Sequence, residues 1–98
     1  MPPTALALMK SRYSAFVKGD SQYLLKTWHS STRPAELQLD DPIKWLGLEI
    51  KDWEEAGDAA TVTFVARGKL QGRAFRQEEK SRFVRENGFW FYVDGDVE

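Results

Sequence analysis

Arg73-Ala74-Phe75-Arg76-Gln77-Glu78-Glu79-Lys80-Ser81-Arg82-Phe83-Val84-Arg85-Glu86, followed by Asn87-Gly88 and then Phe89-Trp90-Phe91-Tyr92-Val93, is the stretch on which the fold turns. A two-residue type I′ hairpin needs positive φ at both central positions, and Asn-Gly is the pair that supplies it most cheaply. Residues 73–86 and 89–93 therefore read as antiparallel neighbours. Period-two alternation puts Phe75, Gln77, Glu79, Ser81 and Phe83 on one face of the longer strand, with Arg76, Glu78, Lys80, Arg82 and Val84 on the other. On the shorter strand it sets Trp90 and Tyr92 opposite Phe89, Phe91 and Val93, and only one set can face a core.

Upstream the same period continues. Ala60, Val62, Phe64 and Ala66 alternate with Thr61, Thr63, Val65 and Arg67, and this strand runs out over residues 68–72. Residues 54–58, with Gly57, read as a turn. From Ile43, Leu46, Leu48 and Ile50 alternate with Gly47, Glu49 and Lys51, a half-buried first strand.

Before Ile43 the period is helical. Thr4 suits an N-cap, and Ala5, Leu6, Met9, Tyr13, Phe16 and Val17 form one apolar arc; Lys10, Ser11, Ser14 and Lys18 lie opposite and Gly19 ends the helix. Arg12 breaks this pattern by falling inside the apolar arc, between Leu8 and Phe16. Asp20 caps a second, shorter helix with Tyr23, Leu24, Thr27 and Trp28 on one side and His29 at its end. Residues 30–34 read as a loop leading to a short helical turn from Pro34, and the helical half closes near Asp40-Asp41-Pro42. Two to three N-terminal helices on a curved four-stranded antiparallel sheet make an α+β fold, one domain over residues 1–98 with a cone-shaped interior that suits a pocket.

Composition bounds the chemistry. At 98 residues, with 42% hydrophobic and 30% charged side chains and a net charge of -1, the chain is a nearly neutral folded domain without bulk attraction for nucleic acid or anionic lipid. The absence of cysteine excludes disulfides, thiolate zinc sites and cysteine nucleophiles. With a single histidine, a metal centre or a Ser-His-Asp triad is hard to build, and no cofactor is expected. No apolar run approaches the ~18 residues of a membrane span, so a cytoplasmic protein without membrane contact is expected.

Several short motifs also carry a resemblance. The segments 8–16 (Leu8 to Phe16, with Arg12-Tyr13), 23–29 (Tyr23 to His29, with Trp28-His29), Ser31-Thr32-Arg33-Pro34, 81–86 and 90–95 resemble, in this order, the central domain of the YchJ-like family, the UPF0225 group. The resemblance implies an NTF2-like α+β cone. Members of that family usually flank this domain with a cysteine-rich SEC-C segment, and this chain departs from them in having no cysteine. The family brings no settled activity with it.

The candidate site residues follow from face and charge. Arg12 and Glu79 are both charged and both turned toward the core, as an anion anchor with its orienter or base, or as a buried ion pair seating the first helix on the third strand. Arg12, Tyr13, Trp28, Glu79, Ser81 and Phe83 are expected to line a pocket for a small polar or anionic ligand. The competing expectation is an isomerase, dehydratase or hydrolase in which His29 or Glu79 moves a proton and Tyr13 or Arg12 stabilises negative charge. The basic residues of 67–85 share their outer face with Glu78, so nucleic acid is not an expected partner. Because NTF2-like sheets commonly pack face to face, a weak homodimer through the outer face of strands two to four is expected, with Arg82 and Trp90 near its centre.

Overall fold

Thr4 and Gly19 delimit the first helix by opposite means. In the computed structural model, which describes residues 2–39 and 42–97, the Thr4 hydroxyl accepts the Ala7 N–H at 3.0 Å and starts α1, Ala5–Lys18. Gly19 adopts the left-handed conformation (φ 72°), so the Gly19 N–H reaches the Phe16 carbonyl and the Asp20 N–H reaches that of Ala15, the paired bonds of a Schellman cap. Asp20 then caps α2, Ser21–Lys26, by accepting the Tyr23 N–H at 3.1 Å. The buried face of α1 is Ala5, Leu8, Met9, Arg12 and Ala15; Phe16 and Val17, expected on that face, are exposed where they border the open cavity.

The sheet is an antiparallel meander in the order β1-β2-β3-β4: Ile43–Ala56, Ala59–Leu70, Arg73–Glu86 and Phe89–Val97. The turns at Gln71-Gly72 and Asn87-Gly88 have positive φ at both residues, as a I′ hairpin requires. The core forms on one face, where Ala5, Leu8 and Met9 pack on Ala60, Val62, Phe64, Ala66, Phe83 and Trp90. Two helices on an open four-stranded sheet are the expected α+β architecture.

Its details depart from local pattern in four places. Residues 33–39 form no helix: a turn from Pro34 would have to nucleate within six residues, and nucleation is the costly step. The expected end of the helical half near Asp40 and Asp41 falls outside the described residues. The turn expected at 54–58 is only Gly57-Asp58, because β1 runs on to Ala56, and β2 continues through Gly68 to Leu70. Gly68 is tolerated there because the Phe75 ring covers it: a Cβ at Gly68 would lie 2.9 Å from that ring.

The third departure is the phase of β1. A bulge at Leu46, where Trp45 pairs with Gly68 but Gly47 with Arg67, makes the inward row Trp45, Leu48 and Ile50 and leaves Leu46 exposed. The fourth is β4, which extends past Val93 to Val97 with a bulge at Val93, since Arg82 pairs with Asp94 while Phe83 pairs with Tyr92. Trp90 and Tyr92 take the inner face. Trp90 is 2% exposed, beneath α1 and under the Arg85 guanidinium at 5.2 Å, so it is a core residue and is unavailable at the centre of any outer-face dimer.

Candidate functional site

Helical phase brings Arg12 into the interior, and local carbonyls hold it there. Its Nη1 donates to the Leu24 carbonyl at 2.8 Å and to Thr27 Oγ1 at 2.7 Å, and Thr27 in turn donates to the Tyr23 carbonyl at 2.8 Å. The C-terminal end of α2 is thereby tied to the middle of α1. The guanidinium carbon lies 4.5 Å from the Tyr92 ring centre and 5.2 Å from that of Trp28, and these two rings meet edge to face at 5.1 Å. Cations are favoured over aromatic faces, most of all where water is excluded. Arg12 is only 5% exposed, and removal from water lowers its pKa to about 10 despite the compensating fields of Tyr92, Tyr23 and Glu79.

Glu79 and Ser81 project from β3 into the same space. The Ser81 hydroxyl donates to Glu79 Oε2 at 2.5 Å. Gly95 faces Ser81 across the β3–β4 ladder, and a Cβ there would stand 2.5 Å from the same carboxylate oxygen, so glycine at 95 is what lets Glu79 lie in this position. Arg12 and Glu79 do not form the buried ion pair allowed by the sequence. The guanidinium turns to α2 and the carboxylate to Ser81. Burial first, and then the charge of Glu79, push the Tyr92 phenol up to about 12, against the opposing pull of Arg12.

These groups line a cavity of about 540 Å³ between α1, the residues Gln38, Leu39, Pro42 and Ile43, and the inner face of the sheet. All six residues expected in a ligand pocket, Arg12, Tyr13, Trp28, Glu79, Ser81 and Phe83, lie on its wall. Tyr92, Gln77, Trp45 and Gln38 also line it and were missed. Tyr92 was legible in part, since it pairs directly with Phe83 once the hairpin register is counted from Asn87-Gly88. Trp45 was hidden by the bulge beside it. Its ring meets Tyr13 at 5.8 Å and Phe75 at 5.9 Å, both edge to face, and so closes one side of the cavity.

His29 is not on this wall. After α2 the chain runs alongside β4, where Tyr92 N–H donates to the Thr27 carbonyl at 2.9 Å and His29 N–H donates to that of Tyr92 at 2.7 Å. That pairing carries the imidazole past the sheet edge to Phe91, where Nε2 meets the Glu86 carboxylate and Nδ1 meets Ser31 Oγ at 2.7 Å. The Ser31 N–H also donates to Nδ1, which makes that nitrogen the acceptor and leaves Nε2 to donate to Glu86. Thr32 Oγ1 donates to the Val93 carbonyl at 2.5 Å and receives the Trp28 indole N–H at 3.2 Å. The segment is a clamp on the open edge of β4. His29 and Glu79, the two alternative proton movers of the enzyme expectation, therefore do not open on the same pocket, because edge docking takes His29 to the opposite side of β4.

The cavity thus offers a buried cation in Arg12 and an exposed one in Lys18, the carboxylate of Glu79, the Ser81 hydroxyl, the phenols of Tyr13 and Tyr92, the amides of Gln38 and Gln77, and aromatic walls. Such a set can bind and orient a small molecule, and Glu79 is the group in it able to accept a proton. Among the described residues no three His, Cys, Asp or Glu side chains gather as a metal site, and no helix is long and apolar enough to cross a membrane.

Comparison with known proteins agrees with this architecture. Residues 4–95 match the family model described as YchJ, middle NTF2-like domain. A UPF0225 protein of Methylibium petroleiphilum is 55% identical over 98 residues, covering 98% of this chain and 72% of its own length, and one of Polaromonas naphthalenivorans is 57% identical over 95 residues, covering 96% and 70%. The solution structure of a SEC-C motif containing protein from Rhodopseudomonas palustris superposes with a TM-score of 0.87 at 27% identity, over 97% of this chain and 79% of that one. A crystal structure of a SEC-C motif containing protein from Psychrobacter arcticus gives 0.79 at 28% identity, over 99% and 62%. With the match running from the N-cap of the first helix almost to the end of the last strand, the chain belongs to the family of YchJ middle NTF2-like domains, the UPF0225 group.

Proposed function

We propose that this domain is a small-ligand-binding module whose cavity takes a compact molecule with an anionic or polar head and an apolar body. One observation carries the reading: Arg12 is buried at the wall of an open cavity, and among the described residues no carboxylate pairs with it and both of its hydrogen bonds leave from Nη1. A desolvated cation without a counter-ion is a costly arrangement, and a ligand anion relieves it. The walls of Tyr13, Trp45, Phe64 and Phe83 supply apolar contact around that buried cation and a few other polar groups, the usual composition of a ligand site.

The test is an NMR screen of the whole chain with small organic acids, both with and without an ammonium group, read at the indole N–H signals of Trp28 and Trp45. Saturable shifts at both, abolished in Arg12→Met, are the expected result. Shifts confined to the outer sheet face, or none at all across the screen, overturn the reading. The enzyme alternative finds less support, since His29 is committed to its clamp and Glu79 would have to act without it.

A further inference from the structure

Besides the exposed Lys18, the cavity wall carries two opposite charges, Arg12 and Glu79, that do not neutralise each other. Arg12 comes from α1 and gives its hydrogen bonds to α2, whereas Glu79 comes from β3 and takes its hydrogen bond from Ser81. Each is held by neighbours on its own side of the cavity, and Gly95 keeps the carboxylate in place by leaving the space it occupies. Arg12 keeps Nε and Nη2, and Glu79 keeps Oε1, without a hydrogen-bond partner among the described residues.

This arrangement discriminates among ligands by charge. A simple carboxylate drawn to Arg12 is repelled by Glu79, and a simple amine drawn to Glu79 is repelled by Arg12. The two groups line one cavity, the charge of Glu79 is felt at Arg12, and in a site with low-dielectric walls screening is weak. A ligand bearing an anion and a cation on adjacent atoms meets attraction at both ends. Tyr13, Trp45 and Phe64 give the same space an aromatic wall, beside the amides of Gln38 and Gln77.

We propose that the cavity binds a free α-amino acid with an apolar side chain, the carboxylate on Arg12, the ammonium on Glu79 and the side chain against Tyr13, Trp45 and Phe64. This rests on the reading of the cavity as a ligand site and names its ligand class. Tyr92, whose ring lies against the guanidinium on the same cavity wall, helps fix the position of Arg12 and so of the carboxylate.

Calorimetric titration of the whole chain with three probes decides it: L-phenylalanine, 3-phenylpropionate, which lacks the ammonium, and 2-phenylethylamine, which lacks the carboxylate. Phenylalanine is expected to bind at least about tenfold more tightly than either analogue, roughly the loss of one charged contact. Glu79→Gln is expected to bring phenylalanine and phenylpropionate within about threefold of each other, on the same reckoning. If phenylpropionate binds the unaltered chain as tightly as phenylalanine does, the amino-acid inference falls while the ligand site stands. If none of the three gives heat, the inference falls as well, and the organic-acid screen then decides separately whether the cavity is a ligand site.

Discussion

Arg12 is expensive to bury and only locally compensated, and its replacement separates stability from binding. Methionine fills most of the same volume, loses two hydrogen bonds and removes a desolvated charge, so Arg12→Met is expected to change unfolding free energy by less than about 2 kcal/mol in either direction. Urea denaturation measures that, beside complete loss of the ligand-induced indole shifts. Gly95→Ala has the opposite character. Its Cβ would meet Glu79 Oε2, Cδ and Cγ at 2.5, 2.8 and 3.0 Å, so the carboxylate must leave Ser81, and a destabilisation of about 1–3 kcal/mol is expected from the crowding. Tyr92 supplies a pH signature. Its phenol is raised from 10.0 to about 12 in the folded state, so its contribution to stability is complete below pH 10 and is lost as pH rises toward 12. Titration of tyrosinate absorbance is expected to show a step near pH 12 that Tyr92→Phe removes.

The element that most shapes the molecule beyond its regular structure is the segment at residues 27–33. A sheet edge left open is a template for unwanted pairing. Here the β4 edge is covered for part of its length by backbone bonds at Tyr92 and by the side chains of His29 and Thr32. A hydrogen bond to a carboxylate as open to water as that of Glu86 contributes little alone, so His29→Ala is expected to cost about 1 kcal/mol at most. Its larger effect is local. Amide exchange at His29 and Tyr92 is expected to accelerate well beyond that of the β2–β3 core in His29→Ala, and more so when combined with Thr32→Val. Uniform acceleration over the whole sheet would show that the clamp holds the fold together and not just the edge.

Over the whole molecule, the two sheet faces differ in kind. The inner face holds the core and cavity, whereas the outer face carries ion pairs: Arg82 with Asp94 and Asp96, Arg67 with Glu49, and Arg76 with Glu78. The Arg82 guanidinium is held so firmly by Asp96 and Asp94 that its pKa rises, and that of Asp96 falls. With Trp90 and Tyr92 turned inward, the outer basic residues are not interleaved with those aromatics. A weak two-fold dimer through this face remains our proposal, with Phe89, 45% exposed at one end of β4, in the place once expected of Trp90. Sedimentation velocity over a wide concentration range is expected to show reversible association that Phe89→Asp abolishes. Trp90 fluorescence is expected to stay unchanged on dilution, since that ring is buried in the protomer. A chain that sediments as a monomer throughout would show that the arginine networks cover the face without a partner.

What could be read in the chain by itself was what neighbours in sequence decide. Thr4, Gly19 and Asp20 cap their helices through bonds spanning three to five residues, Asn87-Gly88 turns its hairpin on two φ angles, and strict alternation places Gln77, Glu79, Ser81 and Phe83 on the inner face of β3. The burial of Arg12 was legible for the same reason, because helical phase depends only on position along the helix. Tertiary structure alone decided the bulges at Leu46 and Val93, the inward turn of Trp45, the capture of Arg12 by α2 instead of Glu79, and the removal of His29 from the cavity. Each of these is settled by cross-strand register or by contacts between distant segments, as in the bonds from His29 to Glu86 and from Thr32 to Val93. Local propensity is blind to them, since their energy exists only once the sheet has formed and its last edge is there to be covered.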